Sequence, residues 1–154
     1  MSFCHLHTHT EYSLLDGSNK IKEYVKRVKG LGMNSAAITD HGNMYGVVEF
    51  YKTAKANDIN PVIGCEVYVA PNSRFDRETS HGDDRYYHLI LLAENNTGYA
   101  NLMKIVSIGF TEGYYYRPRV DFETLERYHE GLICLSGCLA GYIPQRLIRG
   151  DYEA

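Results

Sequence analysis

Closely spaced histidines near the amino terminus have the clearest chemical potential in this chain. His5, His7 and His9 alternate with other residues, and Asp16 follows shortly after them. Side chains two residues apart on a strand point to the same side, and neutral imidazole is the commonest metal ligand. The spacing therefore predicts a metal site at the end of a first strand, Phe3 to Leu6. The alternatives are a solvent-facing, histidine-rich terminus or the edge of a purification tag, although a tag would be an uninterrupted histidine run.

Three further segments place metal-competent side chains at or within apolar strands. Asp40 and His41 directly follow an apolar stretch, whereas Glu66 and His88 lie inside apolar stretches. Each group has a structural alternative. Asp40 and His41 suit the cap of a following helix, Glu66 suits an ion pair with a lysine or arginine, and His88 suits a hydrogen-bonded position in the core. The conjunction of all four segments favours one shared metal site.

The chemistry of such a site follows from its donor types. Mixed nitrogen and oxygen ligands favour zinc, manganese or iron over magnesium or calcium. More than four candidate ligands exceed the closed tetrahedral set of a structural zinc, so two or more ions are expected. Clusters of this kind activate a bound water and clamp a phosphoryl oxygen. Hydrolysis of a phosphoester is therefore the predicted reaction.

The elements that must position these residues alternate between extended and helical patterns. After the first strand, further strands are predicted at 35–39, 61–69, 86–93 and 132–135. Helical spacing of apolar residues predicts helices that begin after Ser18, at 47–54, at 98–108, at 122–128 and from Leu139. A long exposed loop is expected at 71–85. This alternation favours a parallel α/β sheet or barrel, in which the loops at the carboxyl ends of the strands gather at one mouth.

Composition limits the remaining possibilities. The 154 residues are 44% hydrophobic and carry a formal net charge of −3, which fits one globular domain without an overall basic surface for nucleic acid. The four cysteines form no C-x-x-C pair, which suits reduced thiols in a reducing compartment. The apolar runs are too short for a signal peptide or a membrane span. We therefore expect a cytoplasmic protein with no membrane association.

Several motifs together resemble a known family. The segments 5–17, 37–46 (Ala-Ile-Thr-Asp-His-Gly-Asn-Met-Tyr-Gly), 61–68, 113–121 (Gly-Tyr-Tyr-Tyr-Arg-Pro-Arg-Val-Asp) and 135–141 (Leu-Ser-Gly-Cys-Leu-Ala-Gly) are similar to the PHP (polymerase and histidinol phosphatase) domain. Within that family they resemble the branch at the amino terminus of bacterial DNA polymerase III alpha subunits. The tyrosine-rich loop and the Ser-Gly-Cys segment separate this branch from general PHP phosphatases.

The resemblance implies a distorted seven-stranded (β/α)7 barrel with parallel strands and a metal site at their carboxyl ends. It implies up to three zinc or manganese ions and metal ligands at His7, His9, Asp16, His41, Glu66, His88 and Cys138. Asp40 and His41 are the implied catalytic pair, with Asp40 orienting His41. A thiolate at Cys138 would favour zinc. His5 stands where other members often carry aspartate, so its role stays open.

The resemblance also implies a function. The longer protein would be a DNA-directed DNA polymerase, and its PHP domain a metal-dependent phosphoesterase acting as a 3′ to 5′ exonuclease. DNA, other polymerase domains and replisome subunits are the implied partners. Arg117 and Arg119 are candidates for binding the DNA backbone, whereas the neighbouring tyrosines either stack on bases or pack against other domains. The alternatives are a stand-alone PHP phosphatase for a small phosphomonoester and a noncatalytic scaffold of the polymerase.

The sequence departs from the family pattern at one point. The family carries two further ligands in a carboxyl-terminal Asp-x-His pair, and residues 1–154 contain no such pair in the expected place. We therefore expect these residues to be the amino-terminal part of a PHP domain, without the last barrel strands and the palm, fingers and thumb domains. Such a piece would be weakly active or inactive as an enzyme, and its open barrel edge would invite dimerisation.

Overall fold

The computed structural model describes residues 3–78 and 86–153, which form a mixed α/β fold. A short 3-10 helical segment, Glu11–Asp16, precedes the regular elements. The helices are α1 (Ile21–Gly30), α2 (Val47–Ala56), α3 (Asn96–Thr111), α4 (Phe122–Tyr128) and α5 (Tyr142–Ile148). The strands are β1 (Ser35–Ile38), β2 (Asn60–Val69), β3 (Tyr87–Ala93), β4 (Tyr114–Tyr115), β5 (Arg117–Val120) and β6 (Leu132–Leu135). None of these helices has the length and apolar character needed to cross a membrane.

Strand β2 is the centre of the sheet. Its first half pairs in parallel with β1, its second half pairs in parallel with β5, and β3 runs antiparallel along its other side. β6 is antiparallel to β3, and β4 forms a tight hairpin with β5. The strand order along the main path is β4-β5-β2-β3-β6. The α/β class is confirmed, but the expectation that all strands are parallel is wrong because β3 returns antiparallel to β2.

The predicted first strand at Phe3 to Leu6 is also absent. Those residues have no strand assignment, and Phe3 is 63% exposed. The chain first joins the sheet through Thr8, whose carbonyl accepts the Thr39 N–H and whose N–H donates to the Thr39 hydroxyl. These bonds hold a short extended segment at the end of β1. They do not extend into a hydrogen-bonded ladder, so the histidines of this segment lie on a loop.

Two apolar clusters hold the helices against the sheet. One joins α1 and α2 to β1 and is built around the fully buried Phe50, Ile21 and Val25. The other packs α3 and α4 against β2 and β3 around the buried Leu102 and Ile105. The helices predicted from apolar spacing all form. Burial of these side chains, each contributing roughly 1.5–3 kcal/mol, fixes the strand ends that carry the polar residues.

Asp121 ties the loop after β2 to the start of α4. Its carboxylate accepts the Thr124 N–H at 3.0 Å and the Thr124 hydroxyl at 2.7 Å, which caps the helix. The same carboxylate accepts the Arg74 N–H at 2.9 Å and pairs with the Arg74 guanidinium at 3.0 Å. Burial tends to raise the pKa of Asp121, but the hydrogen bonds from Arg74 and Thr124 outweigh it and hold the pKa below its usual range.

Replacing Asp121 with asparagine should destabilise the fold. Asp121→Asn leaves the Arg74 charge without its buried partner, so we expect the free energy of unfolding to fall by about 2–3 kcal/mol near neutral pH. A carboxylate with a lowered folded-state pKa stabilises above its unfolded pKa of about 3.9, and this contribution is lost as pH falls through the folded value. The difference in the free energy of unfolding between the original protein and the Asp121→Asn variant, measured by urea unfolding, should therefore shrink on acidification.

The matched control is Asp58→Asn. Asp58 pairs with Lys29 at 3.4 Å, and both side chains are exposed. Such a surface pair contributes about 0–1 kcal/mol, so this variant should unfold almost like the original protein. Equal effects of the two substitutions, or an Asp121 effect that does not change with pH, would contradict the role assigned to Asp121.

Candidate metal centre

A buried carboxylate surrounded by imidazoles forms the centre of the candidate site. Glu66 is 1% exposed, and its Oε2 lies 2.9 Å from Nε2 of His7 and 2.9 Å from Nε2 of His9. Its Oε1 lies 2.7 Å from Nδ1 of His88. Nδ1 of His41 lies 3.5 Å from Oε2. Four imidazoles from three separate segments of the chain therefore converge on one carboxyl group.

The sheet explains why these side chains meet. In the β2–β3 pairing Glu66 is opposite Ile90 and Tyr68 is opposite His88, so His88 lies diagonally across from Glu66 on the same face. The chain leaving β1 continues beside β2, where the Glu66 N–H donates to the Asp40 carbonyl and the Gly42 N–H donates to the Glu66 carbonyl. This places His41 next to Glu66.

A glycine permits the close approach of this loop. Gly42 has φ of +62°, in the left-handed region that favours glycine. A Cβ at this position would lie 2.8 Å from Pro118 and 2.9 Å from the ring of Tyr68. The Tyr68 ring in turn stacks on the His41 imidazole, with centroids 5.9 Å apart and an interplanar angle of 7°. The glycine after His41 thus allows the tyrosine to support the imidazole.

The electrostatics of the cluster centre on the negative charge of Glu66. Burial tends to raise the pKa of Glu66, but hydrogen bonds with His88, His9 and His7 outweigh it and hold the pKa well below its usual range. Burial tends to lower the pKa of His9, yet the Glu66 carboxylate raises it overall. Burial dominates at His41 and lowers its pKa. Glu66 therefore stays ionised, and His41 favours the neutral form that binds metals.

Ser13 fixes the orientation of His9. The Ser13 hydroxyl donates its single hydrogen to Asp40 at 2.7 Å and accepts the His41 backbone N–H at 3.1 Å. Its oxygen is also 3.0 Å from Nδ1 of His9. Because the hydroxyl hydrogen is committed to Asp40, the His9 Nδ1–H is the donor in this contact. When a metal ion replaces the hydrogen that His9 Nε2 shares with Glu66, the Nε2 lone pair would be directed at the centre of the cluster, as a metal ligand requires.

Asp40 contacts other groups than the predicted His41 ring. It is 2% exposed, and its carboxylate accepts from the Thr10 N–H, the Thr10 hydroxyl and the Ser13 hydroxyl. These bonds leave it buried beneath the cluster, where it positions His9 through Ser13. The expectation that Asp40 orients the His41 ring is corrected, because its bonds go to Thr10 and Ser13; a share of Asp40 in catalysis stays a prediction.

Asp16 is the carboxylate that is hydrogen-bonded to the His41 ring. Its Oδ2 lies 2.7 Å from Nε2 of His41, and the hydrogen bond with His41 lowers the pKa of Asp16. The Asp16 side chain is 76% exposed. In this arrangement Asp16 holds the far nitrogen of His41 and leaves Nδ1 facing Glu66. Asp16 as a direct metal ligand stays a prediction.

The donor set fits divalent metal ions. Two groups of three ligand atoms each lie within 4.8 Å of one another: His7, His9 and Glu66 form one group, and His41, Glu66 and His88 form the other. The Nε2 atoms of His7 and His9 are only 3.0 Å apart. Nδ1 of His41 is buried without a hydrogen-bond partner among the described residues. Converging nitrogens and an unpaired buried nitrogen are the arrangement that a bound cation would satisfy.

Cys138 and His5 lie outside both three-ligand groups. The Cys138 side chain is exposed, and its sulfur accepts the Ala140 N–H at 3.4 Å. Its loop nevertheless borders the site, because the His88 N–H donates to the Ala140 carbonyl at 3.0 Å. Cys138 as a ligand therefore stays a prediction. His5 packs edge-on against Phe3, with centroids 4.8 Å apart, and does not join His7 and His9.

The two arginines predicted to bind DNA have different environments. Arg119 is 3% exposed, and its guanidinium donates to the backbone carbonyls of Gly113, Arg74 and Asp76. It therefore holds the loop after β2 in place, and the structure argues against a phosphate-binding role. Arg117 is exposed and lies over the Tyr68 ring at 5.7 Å from the centroid. Of the two arginines, Arg117 is the exposed one, beside the ring that stacks on His41, and DNA binding by it stays a prediction.

Thr10 and Ser13 are the functional residues that sequence reasoning missed. Both are small hydroxyl residues within a few positions of the histidines, and both donate to Asp40. Their only sequence signal is proximity to His9, since serine and threonine are common in loops for many reasons. Their role depends on the fold that brings Asp40 beneath the loop.

Comparison with known proteins agrees with this geometry. The family model of the PHP domain matches residues 5–154. The chain belongs to the PHP domain family.

The relatives place it within that family. It is 55% identical over 150 residues to DNA polymerase III subunit alpha of Treponema pallidum, covering 97% of this chain and 13% of the relative. It is 48% identical to DNA polymerase III subunit alpha of Borreliella burgdorferi, covering 98% of this chain and 13% of the relative. The predicted resemblance to the polymerase branch is thus confirmed, and the chain spans about an eighth of the length of these relatives.

One solved structure overlaps the chain at lower similarity. It is a proposed metal-dependent phosphoesterase from Bifidobacterium adolescentis, 18% identical, with 69% of this chain and 32% of that chain covered at a TM-score of 0.49.

Removing the Ser13 hydroxyl should weaken metal binding without unfolding the chain. Ser13→Ala deletes the acceptor that fixes His9 Nδ1–H, and loss of such a supporting bond typically lowers metal affinity about 10–100-fold. Competition with a chromophoric zinc chelator would measure the change. Ser107→Ala is the matched control, because Ser107 donates to a carbonyl on the exposed side of α3. Equal zinc affinity in the Ser13 variant and the original protein would contradict the assignment.

Proposed function

We propose that residues 1–154 are the amino-terminal part of the PHP domain of a bacterial DNA polymerase III alpha subunit. The observation that carries the proposal is the pair of three-ligand groups that share Glu66. The extent of the similarity to polymerase relatives supports the same assignment. DNA-directed DNA synthesis would belong to the other domains of the longer protein, and this domain would supply a metal-dependent phosphoesterase site.

In this proposal the phosphoesterase acts as a 3′ to 5′ exonuclease on a DNA end. Divalent ions held by the two groups would polarise a phosphoryl oxygen and lower the pKa of a bound water. His7, His9 and Glu66 would hold one ion, and His41, Glu66 and His88 another. Ser13 fixes the tautomer of His9, and Asp16 holds the distal nitrogen of His41. These contacts preorganise the donors so that little reorganisation is needed on binding.

Zinc or manganese are the ions that this donor set favours. A donor set of imidazole nitrogen and carboxylate oxygen suits zinc and manganese, whereas magnesium and calcium prefer sites made of oxygen alone. Recruitment of the Cys138 thiolate would favour zinc, because soft sulfur ligands select it. A third ion would need ligands beyond the two groups, such as Cys138 and the Asp-x-His pair expected further along the longer protein.

The wider context of the protein follows from the same proposal. DNA, the remaining polymerase domains and replisome subunits would be its partners, and the cytoplasm its location. Completion of the barrel by later strands would cover β6, which pairs only with β3 among the described residues. Dimerisation through that edge in their absence stays a prediction.

The experiment compares nucleotide release by the full-length alpha subunit that contains this chain and by its Glu66→Gln variant. The substrate is single-stranded DNA labelled at the 3′ end, with zinc or manganese added. Because glutamine removes the shared negative charge, we expect release to fall at least about 100-fold, while primer extension by the polymerase domains continues. Glu23→Gln on the exposed face of α1 is the charge-matched control.

Other outcomes would replace the proposal. A full-length protein that releases no nucleotide with either metal would be a noncatalytic scaffold. Preferential turnover of a small phosphomonoester would instead indicate a PHP phosphatase. Residues 1–154 alone should release nucleotides far more slowly than the full-length protein, and equal rates would contradict the expectation that this portion of the domain is incomplete.

A further inference from the structure

Three exposed aromatic rings form a row that begins on the loop carrying His41. Tyr45, Phe110 and Tyr114 are 67%, 38% and 55% exposed. The ring centroids of Tyr45 and Phe110 are 6.2 Å apart, and those of Phe110 and Tyr114 are 6.4 Å apart. The rings come from the loop after His41, from the end of α3 and from β4. We call these three residues the aromatic row.

The aromatic row is connected to the cluster through the loop that carries His41. Tyr45 follows His41 by four positions, and its N–H donates to the Asn43 side chain. Asn43 in turn donates to the His41 carbonyl at 2.9 Å. The first ring of the row is therefore held by the same hydrogen-bonded turn that presents His41. A contiguous exposed apolar surface can mark a binding site.

A cation lies next to both the aromatic row and the cluster. The Arg117 guanidinium is over the ring of Tyr68, which stacks on His41. A hydrogen bond to Tyr86 and the nearby phenol groups of Tyr68 and Tyr114 raise the pKa of Arg117. Its positive charge is exposed and does not pair with a carboxylate in any described ion pair. Its charge is therefore not neutralised by a carboxylate of the described ion pairs and can attract an anion that enters the site.

The local charge favours an anionic ligand although the chain as a whole is negative. Arg77 lies against Tyr115 of the same hairpin, 6.0 Å from the ring centroid. The nearby carboxylate of Glu112 is neutralised by Arg74 at 2.8 Å. Cations therefore flank the β4–β5 hairpin, and the adjacent acid is already paired. Aromatic faces beside uncompensated arginine are the features that bind single-stranded nucleic acid.

We propose that the aromatic row and Arg117 bind single-stranded nucleic acid, with bases stacked on the rings and a phosphate held by the guanidinium. The proposal rests on the proposed function in one respect: the end of the bound nucleic-acid strand would enter the Glu66 cluster. Stacking on rings is tolerant of sequence because every base has a π-face. Arginine contacts with the backbone position the strand without reading its sequence. This surface would therefore deliver an end of any sequence to the site.

The test measures binding in the absence of metal, so that it is independent of hydrolysis. Fluorescence anisotropy of a fluorescein-labelled oligothymidine is followed with residues 1–154 in EDTA. Tyr45→Ala and Tyr114→Ala should each weaken binding at least about fivefold, the lower limit for loss of one stacked base. Tyr51→Ala is the matched control, because Tyr51 is 49% exposed and also lies near a cation, Lys55. It should bind like the original protein.

Salt dependence separates the phosphate contact from stacking. Arg117→Gln should reduce the slope of log affinity against log salt by about 0.7, the value for one phosphate contact on a single strand. The two tyrosine variants should leave that slope unchanged. Arg127→Gln is the control, since Arg127 is exposed on α4 and also lies over a tyrosine ring, at 5.4 Å.

Unchanged oligonucleotide affinity in both tyrosine variants would overturn the proposal. If the same substitutions also lower the melting temperature of the full-length protein, the aromatic row belongs to a contact with another protein domain. Loss of nucleotide release with oligonucleotide binding intact would instead count against the proposed function and leave this binding surface standing.

Discussion

The buried carboxylate of Glu66 is the constraint on which the arrangement of this chain depends. A charge that is 1% exposed is too costly to keep in an apolar strand without compensation. Here the compensation comes from imidazoles on the amino-terminal loop, on the turn after β1 and on β3. Folding therefore assembles the ligands, because the same contacts that make the Glu66 charge tolerable bring the histidines together.

The direction of β3 decides how the site is built. In a purely parallel sheet His88 would reach the cluster from the carboxyl end of its strand. Because β3 is antiparallel to β2, His88 instead lies near the beginning of its strand, opposite Tyr68. The loop at 137–141 then packs against the His88 backbone, as the bond from the His88 N–H to Ala140 shows. Strand direction thus explains why the segment containing Cys138 borders the cluster.

The sequence predicts which residues and elements form the site more reliably than it predicts the role of each. Apolar spacing at Val47, Phe50 and Ala54 is enough to predict α2, because burial of one face stabilises a helix of that length. The histidines and Glu66 stand out because polar groups within apolar strands need partners. The direction of β3 is not encoded in its own residues, since a long connection between strands is compatible with either direction. The prediction of a first strand at Phe3 to Leu6 is wrong because a strand needs a hydrogen-bonded neighbour, which the local sequence does not reveal.

Hydrogen-bond roles are the least predictable part of the site. Asp40 and Asp16 are both plausible partners of His41 in the sequence, and only the fold shows that Asp16 contacts the ring while Asp40 bonds to Thr10 and Ser13. Arg119 is likewise indistinguishable from Arg117 by residue type. Its burial depends on carbonyl groups of a distant loop. Such roles depend on tertiary contacts and leave no periodic pattern in the chain.

The most direct test is an anomalous-scattering map of crystals soaked with zinc. We expect at least two peaks, each at about 2.0–2.2 Å from an oxygen of Glu66, one with imidazole nitrogens of His7 and His9 and the other with those of His41 and His88. Peaks confined to surface residues, or zinc bound near these histidines without Glu66, would contradict the claim that this carboxylate organises the metal centre.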